Sequence, residues 1–83
     1  MPLFMDVHNV GHGLTVDDVV AAHEKDLEVQ GTHGVSYKQA WVDHANGRIF
    51  CLAEGPDAAT VSRVHEDGHG LVADEINEVV EYA

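Results

Sequence analysis

Near the middle of the chain, Asn46-Gly47 separates two strand-like stretches, residues 35–43 and 48–54. No other feature limits the fold as much, because Asn-Gly tolerates the positive φ that a tight hairpin turn requires. Residues 35–43 and 48–54 are therefore expected to pair as antiparallel strands, with Val35, Tyr37, Gln39 and Trp41 on one face of the first.

The segments outside this hairpin follow from it. Thr15 is a good N-cap, and Asp17 and Asp18 fall in the first turn after it, where carboxylates favour the positive end of a helix. Val16, Val19, Val20, His23 and Leu27 recur at helical spacing as the expected buried face, and Gly31 and Gly34 stop the helix. Beyond the hairpin, Gly55-Pro56-Asp57 breaks the strand, and Asp57 can cap a second helix with Ala58, Val61, Val64, His65 and Gly68 along its stripe. Residues 3–8 alternate as a first strand, with Leu3, Met5 and Val7 on one side and Phe4, Asp6 and His8 on the other.

The last segment fits a helix or a strand. A strand is preferred, because a fourth strand completes a sheet for the two helices to cover. The expected class is α+β, a single ferredoxin-like βαββαβ domain over residues 1–83, with two helices on one face of a four-stranded antiparallel sheet. A chain this short buries only about 60% of its unfolded surface, so its core is thin. The face without helices is expected to carry Phe4, Asp6 and His8, and a homodimer through this open sheet face would cover it.

Fifteen carboxylates against four basic side chains give a net charge of -11. That leaves no basic footprint for nucleic acid, and an anionic membrane would repel the chain. One cysteine, Cys51, permits no intrachain disulfide, and the amino-terminal stretch lacks the basic region of a signal peptide, so a cytoplasmic location is expected.

Seven histidines sit in this acidic chain, and imidazole is the commonest protein ligand for nickel, copper and zinc. The frame Gly11-His12-Gly13-Leu14 recurs as Gly68-His69-Gly70-Leu71, once before a helix and once before a strand, so it is not a duplicated fold unit. The expected topology gathers His8, His12, His44, His65 and His69 at one end of the domain. His65 and His69 stand at i and i+4, on one helix face if Gly68 does not end the helix first. Asp6 shares a strand face with His8, where it can ligate beside the imidazole or orient it; a polar pair at a dimer interface is the other reading. His12 is either a labile surface ligand or a solvated loop residue. His23 is expected to be a satisfied core residue, His33 a turn residue, and Cys51 a small buried hydrophobe.

Several stretches carry a resemblance. They are Met5-Asp6-Val7-His8, Ala22-His23 with Asp26-Leu27, Phe50-Cys51-Leu52 with Gly55-Pro56-Asp57-Ala58, and Val64-His65 with His69-Gly70-Leu71-Val72-Ala73-Asp74-Glu75-Ile76. Together they resemble a small family of bacterial nickel-binding ferredoxin-like domains. The resemblance implies a homodimer with surface sites for Ni(2+) and a role in nickel sequestration or homeostasis. The expected metal ligands, taken from the topology, are His8, His12, His65 and His69, assisted by Asp6. Cu, Zn and Co suit the same donors, and affinity should fall as pH drops through about 6.5, where imidazole protonates.

The alternative is a cofactorless dimeric α+β-barrel-type enzyme, an oxygenase or isomerase, with His65 or His23 as general base and Trp41 or Tyr37 lining its cavity. Outward-facing histidine clusters would favour metal storage, and an inward-facing histidine in a closed apolar cavity would favour the enzyme. A third reading is an accessory module for another protein.

Overall fold

The computed structural model describes residues 1–11, 13 and 15–82. Strands β1 (Leu3–Asn9), β2 (Ser36–Asp43), β3 (Arg48–Glu54) and β4 (Glu75–Val79) form one antiparallel sheet in the order β2-β3-β1-β4. Helices α1 (Val16–His33) and α2 (Ala58–Gly68) fill the two crossovers. This is the ferredoxin-like α+β arrangement expected from the sequence. Among the described residues no helix is long and apolar enough to cross a membrane.

The helix ends are set by local chemistry. The Thr15 hydroxyl accepts from the Asp18 amide while the Asp18 carboxylate accepts from the Thr15 amide, a reciprocal cap on α1. Asp57 accepts from the Thr60 amide at 2.7 Å and starts α2. Gly31 does not stop α1, which runs on through His33 to Gly34 at φ 67°, a left-handed cap. His33 is therefore a last-turn residue rather than a turn residue, and its ring pairs with Asp67 of α2.

The buried stripe of α1 differs from the expected one. Val16, Val20 and Leu27 are about half exposed, whereas Val19 and the charged Asp26 are buried. The helix is rotated toward Asp26 because α2 offers two imidazoles to that carboxylate. Hydrophobic periodicity cannot anticipate a partnered charge in the interior.

The face of β1 is also the reverse of the expected one. Phe4, Asp6 and His8 point beneath the helices, and Leu3, Met5 and Val7 lie on the open side with their cross-strand neighbours Phe50, Leu52 and Asn77. Phe4 fills the core beside Tyr37, Ala53, Val61 and Val64. Strand alternation then carries Asp6 and His8 inward with it, where His65 receives them.

In β2 the pairing steps from Tyr37↔Ala53 to Gln39↔Leu52, so Lys38 is an extra residue. The bulge divides the expected single face. Tyr37 is buried under the helices, while Gln39 and Trp41 lie on the open side, the latter directly across from Phe50.

The hairpin is tied to the loop after β1, since the Gly47 carbonyl accepts from the amides of Val10 and Gly11 at 2.9 and 3.1 Å. A Cβ at Gly47 (φ 64°) would lie 2.5 Å from the Gly11 carbonyl oxygen, whereas one at Gly34 would meet nothing within 4 Å. Gly34→Ala should therefore cost only the left-handed strain, about 1–2 kcal/mol. Gly47→Ala should cost roughly 3 kcal/mol or more, because a backbone clash adds to the same strain. Urea unfolding of the two variants should show that order.

Candidate metal centre

The site is built around His65, which is 1% exposed and lies in the last turn of α2. One ring nitrogen faces each of two buried carboxylates. Nε2 lies 2.9 Å from Asp6 Oδ2 on β1, and Nδ1 lies 2.9 Å from Asp26 Oδ1 on α1. Tyr37 Oη donates to the same Asp6 oxygen at 2.9 Å. The other Asp6 oxygen, Oδ1, is 3.2 Å from His8 Nε2 but has no hydrogen bond of good geometry among the described residues.

These contacts set the protonation of the cluster. Burial works against a charge on His65, but Asp26 and Asp6 outweigh it and push its pKa up to about 11. Burial likewise opposes a charge on His8, but Asp6 raises its pKa to about 9. Desolvation alone would raise Asp6; hydrogen bonds from His65 and Tyr37, with the His8 ring close by, hold it well below the usual carboxylate range. Burial, then the Asp6 charge, drives the Tyr37 hydroxyl far upward, so it remains a donor. In the metal-free protein His65 is thus an imidazolium held between two carboxylates.

His69 is the exception. It is the residue after α2, with its amide donating to the His65 carbonyl at 3.1 Å, so Gly68 does not spoil the i, i+4 relation. Its Nε2 approaches His65 Nδ1 at 3.0 Å and Asp26 Oδ1 at 3.1 Å. Its Nδ1 accepts from the Leu71 amide at 3.0 Å, which places the ring proton on Nε2. Burial holds the pKa of His69 below the ordinary histidine value.

Two sets of donors therefore share His65. Asp26, His65 and His69 form one; Asp6, His8, Cys51 and His65 form the other, each with donor atoms within 4.8 Å of one another. Bonds of about 2.0–2.1 Å place neighbouring donors about 3.0 Å apart on an octahedron and about 3.4 Å apart on a tetrahedron. The edges of the first set, at 2.9, 3.0 and 3.1 Å, match the octahedron. In the metal-free protein Asp26 Oδ1 accepts from both ring nitrogens at that spacing, at 2.9 Å from His65 Nδ1 and 3.1 Å from His69 Nε2. Two imidazoles and one carboxylate suit Ni(II), and the orphaned Asp6 Oδ1 marks the second set as the less complete of the two.

A cavity of about 40 Å³ opens beside the first set, lined by His8, His23, Asp26, His65 and His69 among mainly apolar side chains. The histidines thus face inward, not outward. His23 is only partly buried, and its Nδ1 lacks a partner among the described residues, so it is not the satisfied core residue expected. Of the residues expected to ligate, Asp6, His8, His65 and His69 converge. His12 lies outside the described residues. His44 is exposed in the hairpin turn, beside a different pocket. Asp26 was missed, although it lies three residues after His23 on the same helix, because a carboxylate amid a polar helix face carries no signal of burial.

A family model described as nickel responsive protein SCO4226-like matches residues 4–79. The chain belongs to the SCO4226-like family. Its fold also matches the crystal structure of SCO4226 from Streptomyces coelicolor A3(2), with a TM-score of 0.89 and 51% identity over 98% of this chain and 99% of that one. No curated protein matches at a significant level. Within this SCO4226-like chain the strongest local feature is the buried His/Asp cluster, and it has a thermodynamic signature. Raised histidine pKa values stabilise the fold fully below the unfolded value of about 6.5, and this is lost as pH rises through about 9 and then about 11. The lowered Asp6 value stabilises above about 4 and is lost in acid. The metal-free protein should melt at its highest temperature between about pH 4 and 6.5 and markedly lower at pH 9, by calorimetry with a chelator present. Asp6→Asn should cost about 3–5 kcal/mol, because it removes one partner of a buried charge pair.

Proposed function

We propose that this protein binds one divalent metal ion, nickel in keeping with its family's description, through Asp26, His65 and His69, in a role of nickel sequestration or homeostasis. The observation that carries the reading is the triangle of donor atoms with edges of 2.9, 3.0 and 3.1 Å. Asp6 and His8 then act behind it, holding the far side of the His65 ring in place. Imidazole and carboxylate serve copper, zinc and cobalt as well, so the choice of nickel rests on the family.

The ion must displace the His65 Nδ1 proton. Because that proton is held up to about 11, affinity should go on rising with pH well above 6.5, instead of levelling off there. Calorimetry in buffers of different ionisation enthalpy should register proton release, and His69→Ala should abolish binding. Metal at His69 Nε2 also moves that ring's proton to Nδ1, so the Leu71 amide loses its acceptor. Hydrogen exchange at Leu71 should quicken on loading. A Leu71 amide that stays protected while nickel binds would place the ion elsewhere.

A second reading has one observation in its favour. The histidines look inward on an apolar cavity, as a cofactorless oxygenase or isomerase would require. His65 is too firmly protonated to be its base, which leaves His23 on the cavity wall, and Trp41 lies on the opposite face of the sheet. Turnover that is indifferent to a chelator would support this reading over the first.

The partner we propose is a second copy of the chain, stacked on the open sheet face around Trp41, Phe50, Leu52 and Met5. Trp41 is 45% exposed there in the isolated chain. Trp41→Glu should give a monomer in sedimentation, with the cluster under the helices undisturbed.

A further inference from the structure

We propose that the metal ion held by Asp26, His65 and His69 takes a small exogenous anion as a further ligand, bound in the adjoining cavity against His23. This rests on the metal-binding reading above. It goes beyond holding the ion, because an open position on a bound metal serves an incoming ligand.

Four observations converge on it. The three protein donors supply half of an octahedral shell, so three positions remain. All three donors line one cavity, and its volume of about 40 Å³ has room for about three water-sized groups at ~10–15 Å³ each. The charge is incomplete as well. Asp6 and Asp26 are balanced by the charged rings of His8 and His65, so a divalent ion that replaces one His65 proton adds one positive charge, and the rest of the wall is mainly Val10, Val19, Ala22, Ala40, Ile49 and Leu71. In such surroundings an anion is the natural counter-charge. Asp18 also borders the cavity, but it is exposed, so solvent screens its charge, and its Oδ2 is turned to the amide and hydroxyl of Thr15 at 3.0 and 2.9 Å.

The fourth observation is His23. Its Nδ1 is shielded from solvent, has no hydrogen-bond partner among the described residues, and belongs to a ring that lines this cavity. A buried ring nitrogen without a partner is unfavourable, and an anion on the metal would supply the missing acceptor. His23 is then a positioning residue for the bound anion and not a metal ligand. The cavity sets the class of ligand: two or three heavy atoms, such as azide, cyanide or formate, and nothing as large as a benzoate.

The test uses the full chain loaded with one equivalent of Co(II), whose visible bands report its coordination. Azide should shift those bands saturably with one azide per cobalt, and the azide stretch should move in the infrared. Benzoate should do neither. His23→Ala should weaken azide by about tenfold, the worth of one hydrogen bond to an anion, while cobalt affinity is unchanged. His23→Gln, which restores a donor, should recover much of the loss. Cobalt that binds in a His69-dependent manner but whose spectrum ignores azide would overturn the inference and leave the metal site standing. Azide affinity unchanged in His23→Ala would overturn the role of His23. Cobalt binding indifferent to His69→Ala would remove the metal reading and this inference with it.

Discussion

Asp6 and Asp26 are almost wholly withdrawn from water, and the ring of His65 stands between them. Neither carboxylate could be buried alone, because an unpaired charge in the interior is prohibitive. The imidazolium satisfies both, and in doing so joins three separate elements: β1 through Asp6, α1 through Asp26, and α2 through its own backbone. In a domain with so thin an apolar core, this ionic seam sets the rotation of α1 and the inward face of β1. The positions of Tyr37, His8 and His69 follow from it.

The same seam would let the proposed site exchange a proton for a cation. A proton bridges His65 to Asp26 at the distance that a shared metal would require. The ligands are therefore held in place before any ion arrives, and the cost of ordering them is met by folding. In the proposed metal-binding role, one proton and one ion would compete for the same small triangle. Family membership supplies nickel as the ion to consider first; the geometry supplies two imidazoles, a carboxylate and a vacancy beside them.

The element order could be read from the chain because its signals are local: Asn46-Gly47 for the hairpin, Thr15 and Asp57 for the two caps, and glycine or proline at the breaks. The fourth strand was recovered by completing a sheet rather than by its own weak pattern. The convergence of His8, His65 and His69 followed from the topology. Three matters were not legible, for a common reason. The inward turn of Phe4, Asp6 and His8, the burial of Asp26 and the bulge at Lys38 all depend on partners distant in sequence. Alternation separates the two faces of a strand but does not say which one meets the helices. Likewise a buried carboxylate looks like a surface one until its histidine is found.

The extra residue at position 38 has an effect out of proportion to its size. Upstream of it, β2 delivers a phenol to the interior; downstream, the parity is inverted and the indole faces away. The two large aromatics of this strand thus serve opposite sides of a single sheet, one the ionic seam and the other the bare surface. Flattening the bulge with Lys38 kept would restore simple alternation along β2 and force a choice: either the phenol leaves the seam or the indole is driven beneath the helices, where the space now belongs to Ala40 and Val42. One surplus residue, which a surface loop would absorb without effect, here lets two aromatics four positions apart look in opposite directions.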